Sequence, residues 1–492
     1  MSDRFSYPQA LSPEEFRRLG SQVIEIAARH LETVVELPIR PVPPEEVKQQ
    51  LLEQPLPREG RSPADMLAFL EQNLMPYARG NGHPGYMGWV ISPPAHMAIL
   101  TDLLGAAIDT NCGGGHPAAT WLERCAIRWI KALLGYESPD SHGLLVSGGS
   151  MANLNAIAAA RYAAARRAGW DIRQQGMCGG PDFVLYASRE THSCITKAVE
   201  LMGMGQKAIR FMDTDEQYRI DLDALETAIA EDIRDGRVPF CIVGNAGTAN
   251  TGAVDNLAAL ADICEKHDIW LHVDGSYGAF GVMDPRCADL FAGMDRADSI
   301  ALDPHKWLST PFDCGCVLVR DRHILRDCFS LMSPLIRQVG MDTDDLGAQH
   351  EYGLELSRSF RALKVWSVLS HVGVEGFRDT ISRQNAMAAD LADYVEQSDD
   401  LELLAPPVLS VVCFRYVPPA LHADEERLNA LNKDIVVKLQ AEGRVYPSST
   451  ELEGRFTIRA NIFHYAADRS DVDTLIEDVR RYGGELMQGS TP

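Results

Sequence analysis

Through the middle of the chain, between about residues 118 and 330, compact apolar runs of strand length alternate with segments of helical periodicity. The apolar runs read GLLVS, FVLYAS, KAIRFM, FCIVGNA, IWLHVDG, SIALD and CVLVR. Strands that are apolar throughout and alternate with helices are typical of a mainly parallel sheet with helices on both faces. The pattern therefore predicts an α/β domain.

The two ends of the chain carry different patterns. Apolar residues at helical spacing over residues 13–36 and 63–76 flank the Pro-rich stretch LPIRPVPPEEV, which must be extended or turning. This N-terminal segment buries little by itself, so we expect it to pack on another subunit. Residues 361–398 predict one or two long helices, and the strand-like runs SVVCFRYV and RFTIRAN follow, with helical spacing around them. The C-terminal part therefore predicts a smaller α+β domain.

We accordingly predict three units in the chain. They are an N-terminal helical segment at residues 1–80 that packs in a dimer, a large domain at 81–375 and a small α+β domain at 376–492. A chain of 492 residues, 46% of them hydrophobic and 23% charged, is long and apolar enough to bury a large core.

Charge, cysteine usage and the N-terminal sequence argue against several classes of protein. A formal net charge of -23 disfavours a nucleic-acid or anionic-membrane partner. The start, MSDRFSYPQALSPEEF, lacks the pattern of a signal peptide, and no apolar run reaches the ~20 residues of a transmembrane helix. Among 11 cysteines only Cys314 and Cys316 form a close pair, without a second pair to complete a zinc site. We expect a cytoplasmic protein with reduced thiols and no metal.

Lys306 is the first candidate for chemistry. It lies beside Trp307 in SIALDPHKWLSTPFDCGCVLVRD, between two apolar runs. A lysine buried near an aromatic ring loses hydration, which favours the neutral amine that a nucleophile needs. A surface lysine at a strand end explains this stretch equally well.

A second candidate, the SGGS segment at residues 147–150, lies between the predicted strand GLLV and an Ala-rich helix. Glycines at a helix start let backbone N–H groups approach an anion, and the helix dipole favours negative charge there. The same residues also serve as an ordinary helix cap. The segment is neither a dinucleotide fingerprint nor a P-loop.

Three further polar residues follow predicted strands. Asp274 ends the run IWLHVD, His192 follows FVLYAS, and Thr248 lies in a small-residue loop after FCIVGNA. Ligands of α/β proteins bind outside the carboxyl ends of parallel strands, which favours a functional role. Each residue taken singly also fits a cap or a turn.

Together these groups match one cofactor, pyridoxal 5'-phosphate. It needs an anion cradle at a helix start, a lysine for a Schiff base and a carboxylate on the pyridine nitrogen, and an imidazole lying on the ring would hold its plane. The chain offers cradle, imidazole, carboxylate and lysine in that order, each at a predicted strand end.

The chain resembles the group II pyridoxal phosphate-dependent amino-acid decarboxylases, the family of the aromatic-amino-acid, histidine and glutamate decarboxylases. The similarity covers roughly residues 7–366 and is carried by HPGYMGW, SGGSMANLNAI, THSCITKA, GTANTGAVDN, HVDGSYGAF, DPHKWL and SRSFRALKVW. It implies a fold-type-I, aspartate-aminotransferase-like homodimer with its active site between the subunits. It also implies a lyase of carboxylic-acid and amino-acid metabolism.

The resemblance implies a cofactor contact for five residues. Gly149 and Ser150 would bind the phosphate with help from His305, Thr248 would lie near the cofactor, and Ser276 would line the side of the ring nitrogen.

The resemblance further implies three catalytic residues that also bind the cofactor. Lys306 would form the Schiff base, Asp274 would pair with the ring nitrogen, and His192 would stack on the pyridine ring. The substrate amine would displace Lys306, CO₂ would leave, and the electrons would pass into the pyridinium before a proton returns to Cα.

The chain departs from the family in the loop that precedes SRSFRALK. Relatives use a loop tyrosine to help return the proton to Cα, but the matching place near Leu335 or Ile336 holds no tyrosine. His350 and Tyr352, later in the same loop, are alternatives. Some relatives altered at this loop release an aldehyde and ammonia by an oxygen-dependent route, so the resemblance keeps that reaction as an alternative.

The substrate side departs as well. Where the aromatic-amino-acid decarboxylases have aromatic residues, this chain has Trp89 but also Val90, Ile91 and a glycine run at 113–115. The glycines either leave room for a bulky substrate or only shape a loop.

We therefore expect decarboxylation of an aromatic or otherwise apolar L-amino acid to its amine. An oxygen-dependent aldehyde synthase and an aminotransferase are the alternatives that keep the cofactor. A catalytically silent scaffold is a third alternative, against which the intact Lys306 and Asp274 argue.

Overall fold

The computed structural model of the protein describes residues 9–78, 80–114, 117–331 and 348–489. Its helices are α1 (Pro13–Thr33), α2 (Glu45–Leu52), α3 (Pro63–Asn73), α4 (His96–Ile108), α5 (Ala118–Leu133), α6 (Gly149–Arg167), α7 (Ile172–Gln175), α8 (Cys194–Leu201), α9 (Leu222–Arg234), α10 (Leu257–His267), α11 (Ile324–Phe329), α12 (Arg361–Glu396), α13 (Glu425–Glu442) and α14 (Arg469–Gly489). Its strands are β1 (Tyr86–Met87), β2 (His142–Val146), β3 (Phe183–Ser188), β4 (Ile209–Met212), β5 (Val238–Asn245), β6 (Trp270–Asp274), β7 (Ser299–Leu302), β8 (Gly315–Val319), β9 (Leu401–Leu403), β10 (Val411–Tyr416), β11 (Tyr446–Leu452) and β12 (Arg455–Asn461).

Seven strands form the larger sheet, in the order β2-β8-β7-β6-β5-β3-β4. Strands β7, β6, β5, β3 and β4, which are neighbours in this order, run parallel to one another. Strand β8 is antiparallel to both of its neighbours, β2 and β7. Alternate residues of β3 enter two separate apolar cores, Val184 and Tyr186 on one face and Phe183 and Leu185 on the other. Helices cover both faces, because a strand buried on both sides needs apolar neighbours on both sides. The predicted mainly parallel α/β sheet is confirmed.

Five strands form the smaller sheet, in the order β1-β11-β12-β10-β9. Strand β1 is parallel to β11, and the other neighbours are antiparallel. A third apolar core lies between this sheet, α13, α14 and the second half of α12. Helix α12 has a kink at Gly373, whose φ of 73° is left-handed. The proposed domain boundary at residue 375 falls inside α12 and stays a prediction.

A buried ion pair joins α5, β2 and the segment that leads into α12. Arg358 donates two hydrogen bonds to the Glu123 carboxylate, at 2.5 and 3.1 Å, and both side chains are almost fully buried. The same two groups also bond the backbone of β2, since Arg358 donates to the Leu145 carbonyl and Glu123 accepts from the Leu145 N–H. Each charge is therefore paired and hydrogen-bonded, which is the condition under which buried charges are tolerated.

Among the helices of the described ranges, none is both long enough and apolar enough to cross a membrane.

We predict that Arg358→Met lowers the free energy of unfolding by about 3–5 kcal/mol, because it leaves the Glu123 carboxylate buried without its cation. Urea unfolding followed by circular dichroism measures the change. The matched control is Arg166→Met, which removes an exposed ion pair to Asp327 and should cost at most about 1 kcal/mol. Equal effects of the two substitutions would contradict the role assigned to the buried pair.

Candidate functional site

A cavity of about 350 Å³ lies where the carboxyl ends of β5 and β6 and the loop after β7 meet the start of α6. Its lining includes every site residue named from the sequence: Gly149, Ser150, His192, Thr248, Asp274, Ser276, His305 and Lys306. Parallel strands end at the same edge of a sheet, so residues far apart in the chain come together there.

The start of α6 forms a narrow backbone cradle in this cavity. The first N–H groups of a helix have no intrahelical acceptor, so those at Gly149 and Ser150 are available to a ligand. A Cβ atom at Gly149 would lie only 2.5 Å from Ser276 Oγ and 2.7 Å from Asp303 Oδ2. On the other side, a Cβ at Gly315 would lie 2.5 Å from the Gly148 backbone. Both positions therefore need glycine because the elements pack so closely.

Lys306 is held by an ion pair. Its Nζ lies 3.0 Å from Asp303 Oδ2, and its side chain is only 19% exposed. The adjacent Trp307 is buried and donates its indole N–H to Gln384 Oε1 at 2.7 Å, so α12 anchors the segment that carries the lysine. The polar environment of the amine differs from the apolar one expected from the sequence, because Asp303 also lies within reach.

His305 lies beside the same carboxylate. Its Nδ1 donates to the Cys314 carbonyl at 2.7 Å, which fixes the ring and leaves Nε2 as an acceptor in the neutral form. Burial lowers the pKa of His305, and the nearby Asp303 carboxylate opposes that effect.

Asp274 ends β6 at the other side of the cavity. Its Oδ1 accepts a hydrogen bond from the Ser276 N–H at 3.1 Å, and the side chain is 7% exposed. The Ser276 hydroxyl is buried and has no hydrogen-bond partner within the described part of the chain. A polar ligand in the cavity would satisfy it.

His192 and Thr248 lie on two loops that border the cavity. His192 follows β3, and its Nδ1 accepts from the Cys194 N–H at 3.3 Å, which orients the exposed ring. The buried Thr248 hydroxyl lies 2.9 Å from that of Thr251 and accepts from the Ala253 N–H, so it closes its own loop.

Two lining residues were not singled out from the sequence, although the signal that pointed to Asp274 also applies to them. Asp303 and Asn245 are polar residues at the carboxyl ends of the apolar runs that form β7 and β5. Asn245 donates from Nδ2 to Ser188 Oγ, Thr191 Oγ1 and Asp255 Oδ2. It thereby holds the turn that carries His192.

The structure tests only part of what the sequence suggested about the loop that lacks a tyrosine. Leu335 and Ile336 lie outside the described residues. Tyr352 is 1% exposed and packs on His142 in an apolar core, and His350 donates from Nδ1 to the Gly113 carbonyl, so neither lines the cavity.

Packing explains Gly113 in the glycine run but not Gly114, where a Cβ would make only ordinary contacts of 3.4 Å or more. A Cβ at Gly113 would lie 2.1 Å from the Leu356 carbonyl oxygen, so a side chain is excluded by backbone and not by a substrate. This favours the interpretation that Gly113 shapes a loop. Gly115 lies outside the described residues, and Trp89 is 53% exposed.

The cavity has the groups that pyridoxal phosphate requires. An amine, a carboxylate and an anion cradle line one space, and the unpartnered Ser276 hydroxyl and the glycine-lined cradle leave room for a polar, anionic ligand. In the described ranges no cluster of side chains suits a metal ion.

Comparison with known proteins gives the same result. The model of the pyridoxal-dependent decarboxylase conserved domain matches residues 44–417. The chain is 36% identical over 455 residues to an aromatic-L-amino-acid decarboxylase of Bacillus atrophaeus, with 91% of each chain covered. It is 28% identical to a phenylacetaldehyde synthase of Petunia hybrida, covering 97% of this chain and 96% of the relative. The crystal structure of Oryza sativa TDC with PLP and tryptamine is similar with a TM-score of 0.91 and 28% identity, covering 97% of this chain and 99% of that one.

We predict that Gly149→Ala weakens the binding of pyridoxal phosphate and lowers turnover by on the order of 100-fold, because the new methyl group displaces Ser276 or Asp303. Visible absorbance of the dialysed protein measures the retained cofactor. Gly484→Ala is the matched control, since a Cβ there meets no atom within 4 Å. Full retention by Gly149→Ala would show that the cradle is not a binding element.

Proposed function

Because the chain belongs to the pyridoxal-dependent decarboxylase family, we propose that it converts an aromatic or otherwise apolar L-amino acid to the corresponding amine and CO₂. Its cofactor is pyridoxal phosphate, and its reaction class is the decarboxylation of an amino acid. The choice of substrate and of product is the proposed part. The cavity in which Lys306, Asp274 and the start of α6 meet supports the cofactor chemistry, and the similarity to an aromatic-L-amino-acid decarboxylase supports the substrate class.

The cofactor, when bound, supplies a ring that accepts the electrons left on Cα as CO₂ departs. Lys306 would provide the amine that holds the cofactor aldehyde, and Asp303, 3.0 Å from Lys306 Nζ, would stabilise that amine in its ammonium form. Asp274 keeps a proton on the ring nitrogen by its negative charge.

The remaining residues fix the cofactor in the cavity. The N–H groups of Gly149 and Ser150 bind the phosphate at the start of α6, and His305 lies at the same edge. His192, whose imidazole is oriented by the Cys194 N–H, would stack on the cofactor ring. Thr248 and Ser276 line the cavity and would lie beside the ring.

The substrate class is supported by relatives that act on aromatic amino acids. An aromatic-L-amino-acid decarboxylase is 36% identical, and tyrosine decarboxylase 4 of Petroselinum crispum is 30% identical over 487 residues. The acidic charge of the chain does not select a substrate.

Oxygen-dependent formation of an aldehyde is the second candidate. It is favoured by the absence of tyrosine at Leu335 and Ile336 and by the similarity to phenylacetaldehyde synthase. Within the single chain, neither Tyr352 nor His350 lines the cavity.

We predict that a panel of amino acids, incubated with and without oxygen and analysed by mass spectrometry, yields CO₂ and an amine from an aromatic substrate in both atmospheres. Lys306→Ala should lower this turnover by at least ~100-fold and abolish the visible absorbance of the covalently held cofactor. Lys266→Ala, an exposed lysine paired with Glu226, is the control and should be unchanged. Aldehyde and ammonia formed only with oxygen would favour the second candidate, and no turnover of any amino acid would count against both.

We further propose that the enzyme is a homodimer with its active site between the subunits. Helix α1 exposes Phe16 and Ile24, and α4 exposes Leu103, Leu104 and Ile108, each by about half of its surface. Apolar residues in this number on two helices indicate surfaces that a partner covers. A second copy of the chain fits this role because the N-terminal helices bury few of their own apolar residues.

We predict that sedimentation gives twice the chain mass of 54.2 kDa, and that the double substitution Leu103→Glu with Leu104→Glu yields monomers with little activity, because charges are then buried in the interface. Leu201→Glu, at another exposed leucine, is the control and should stay dimeric. A fully active wild-type monomer would rule out a shared site.

A further inference from the structure

A chain of buried hydrogen bonds lies directly behind the cavity. The indole N–H of Trp270 donates to Ser299 Oγ at 2.8 Å, and Ser299 Oγ lies 2.9 Å from His272 Nδ1. His272 Nε2 lies 2.6 Å from Asn153 Oδ1, and Asn153 Nδ2 donates to the Gly149 carbonyl at 2.9 Å. Asn153 and His272 are 0% exposed, and neither lines the cavity.

The groups at the two ends of this series of hydrogen bonds determine which atom donates in each bond. The Trp270 indole can only donate, so Ser299 Oγ accepts from it and its own proton is available to His272 Nδ1. The Asn153 amide nitrogen faces the Gly149 carbonyl, so its oxygen faces His272. His272 must therefore carry its proton on Nε2 and donate it to Asn153.

The same arrangement keeps His272 uncharged. Burial lowers the pKa of His272 to about 4, although the nearby Asp274 carboxylate raises it. With a hydroxyl donor on one nitrogen and an amide acceptor on the other, both ring nitrogens of the neutral form are satisfied. One tautomer of the neutral ring is thus held near neutral pH.

Asn153 connects three parts of the cavity wall. Its Nδ2 contacts the Gly149 carbonyl in the first turn of α6 and also lies 3.5 Å from the Sγ of Cys194, which follows the His192 turn. Its Oδ1 is bonded to His272, two residues before Asp274 on β6. Side chains two residues apart on a strand share a face, so His272 lies on the same side of the sheet as Asp274.

We propose that Asn153 and His272 are positioning residues that set the separation of the phosphate cradle at Gly149, the imidazole of His192 and the carboxylate of Asp274. This inference rests on the proposed function, since those three groups would contact opposite ends and one face of the same cofactor. Through this pair the first turn of α6 is hydrogen-bonded to β6, the strand that carries Asp274, so the distance between the cradle and the carboxylate does not depend on loops.

Titration of the cofactor-free, full-length protein with pyridoxal phosphate tests the proposal. We expect His272→Phe and Asn153→Leu to raise the dissociation constant roughly 10- to 100-fold, the usual effect of losing an outer hydrogen-bond partner of a binding site. We also expect them to change the circular dichroism of the bound cofactor at saturation, because the ring is then held at a different angle. His272→Gln keeps one donor and one acceptor and should restore most of both signals.

Asn432→Leu provides the matched control. Asn432 is also 0% exposed, and it donates from Nδ2 to the Tyr416 and Leu428 carbonyls in the small domain, away from the cavity. Its substitution should lower the melting temperature without changing the affinity for the cofactor or its circular dichroism. The melting temperatures of the cofactor-free variants thus separate loss of stability from loss of positioning.

Two outcomes would overturn the proposal: wild-type affinity and circular dichroism in Asn153→Leu, or a failure of His272→Gln to improve on His272→Phe. Should the larger changes prevent folding, Ser299→Ala removes the hydroxyl donor to Nδ1 together with the acceptor of the Trp270 indole N–H, and unchanged cofactor binding in that variant would also overturn it. Because the titration needs no substrate, it decides this inference even if no amino acid is turned over. Failure of wild-type turnover would instead count against the proposed function.

Discussion

Polar groups buried at the carboxyl edge of the large sheet need hydrogen-bond partners from the protein or from a ligand, and this constraint shapes the cavity. Asp255 is 1% exposed and accepts from the N–H groups of Ile220 and Asn245 and from the Asn245 amide. Burial raises the pKa of Asp255, while the hydrogen bonds from the backbone N–H groups oppose that effect. Because an unpaired carboxylate would be costly there, Asn245 is fixed, and with it the Thr191 turn.

The charges in the cavity are balanced in the same way. Asp303 faces both Lys306 and His305, so the anionic group nearest the cradle has a cation beside it. One oxygen of Asp303 is buried without a hydrogen-bond partner among the described residues. A ligand with a hydrogen-bond donor or a positive charge near this oxygen would provide the missing partner. The site is therefore suited to a polar ligand.

The small sheet is tied to the cavity by a buried arginine. Arg459 on β12 donates to the carbonyls of Gly88 and Asn250 and to Ser448 Oγ. Burial lowers the pKa of Arg459, and the two carbonyls replace the water that its Nε and Nη1 have lost. Through Arg459 the loop that follows Thr248 is attached to the C-terminal sheet, although no local pattern relates the two.

The sequence determined the elements and the identity of the site. Strands that are apolar throughout predict a covered parallel sheet, and Lys306, Asp274 and the SGGS segment each follow such a strand, so their meeting at one edge was predictable. Only the tertiary structure decided the antiparallel direction of β8, the pairing of β1 with β11 and the partners of Lys306. The physical reason is that periodicity reports which faces of an element are buried, whereas strand direction and ion pairs depend on contacts between segments far apart in the chain.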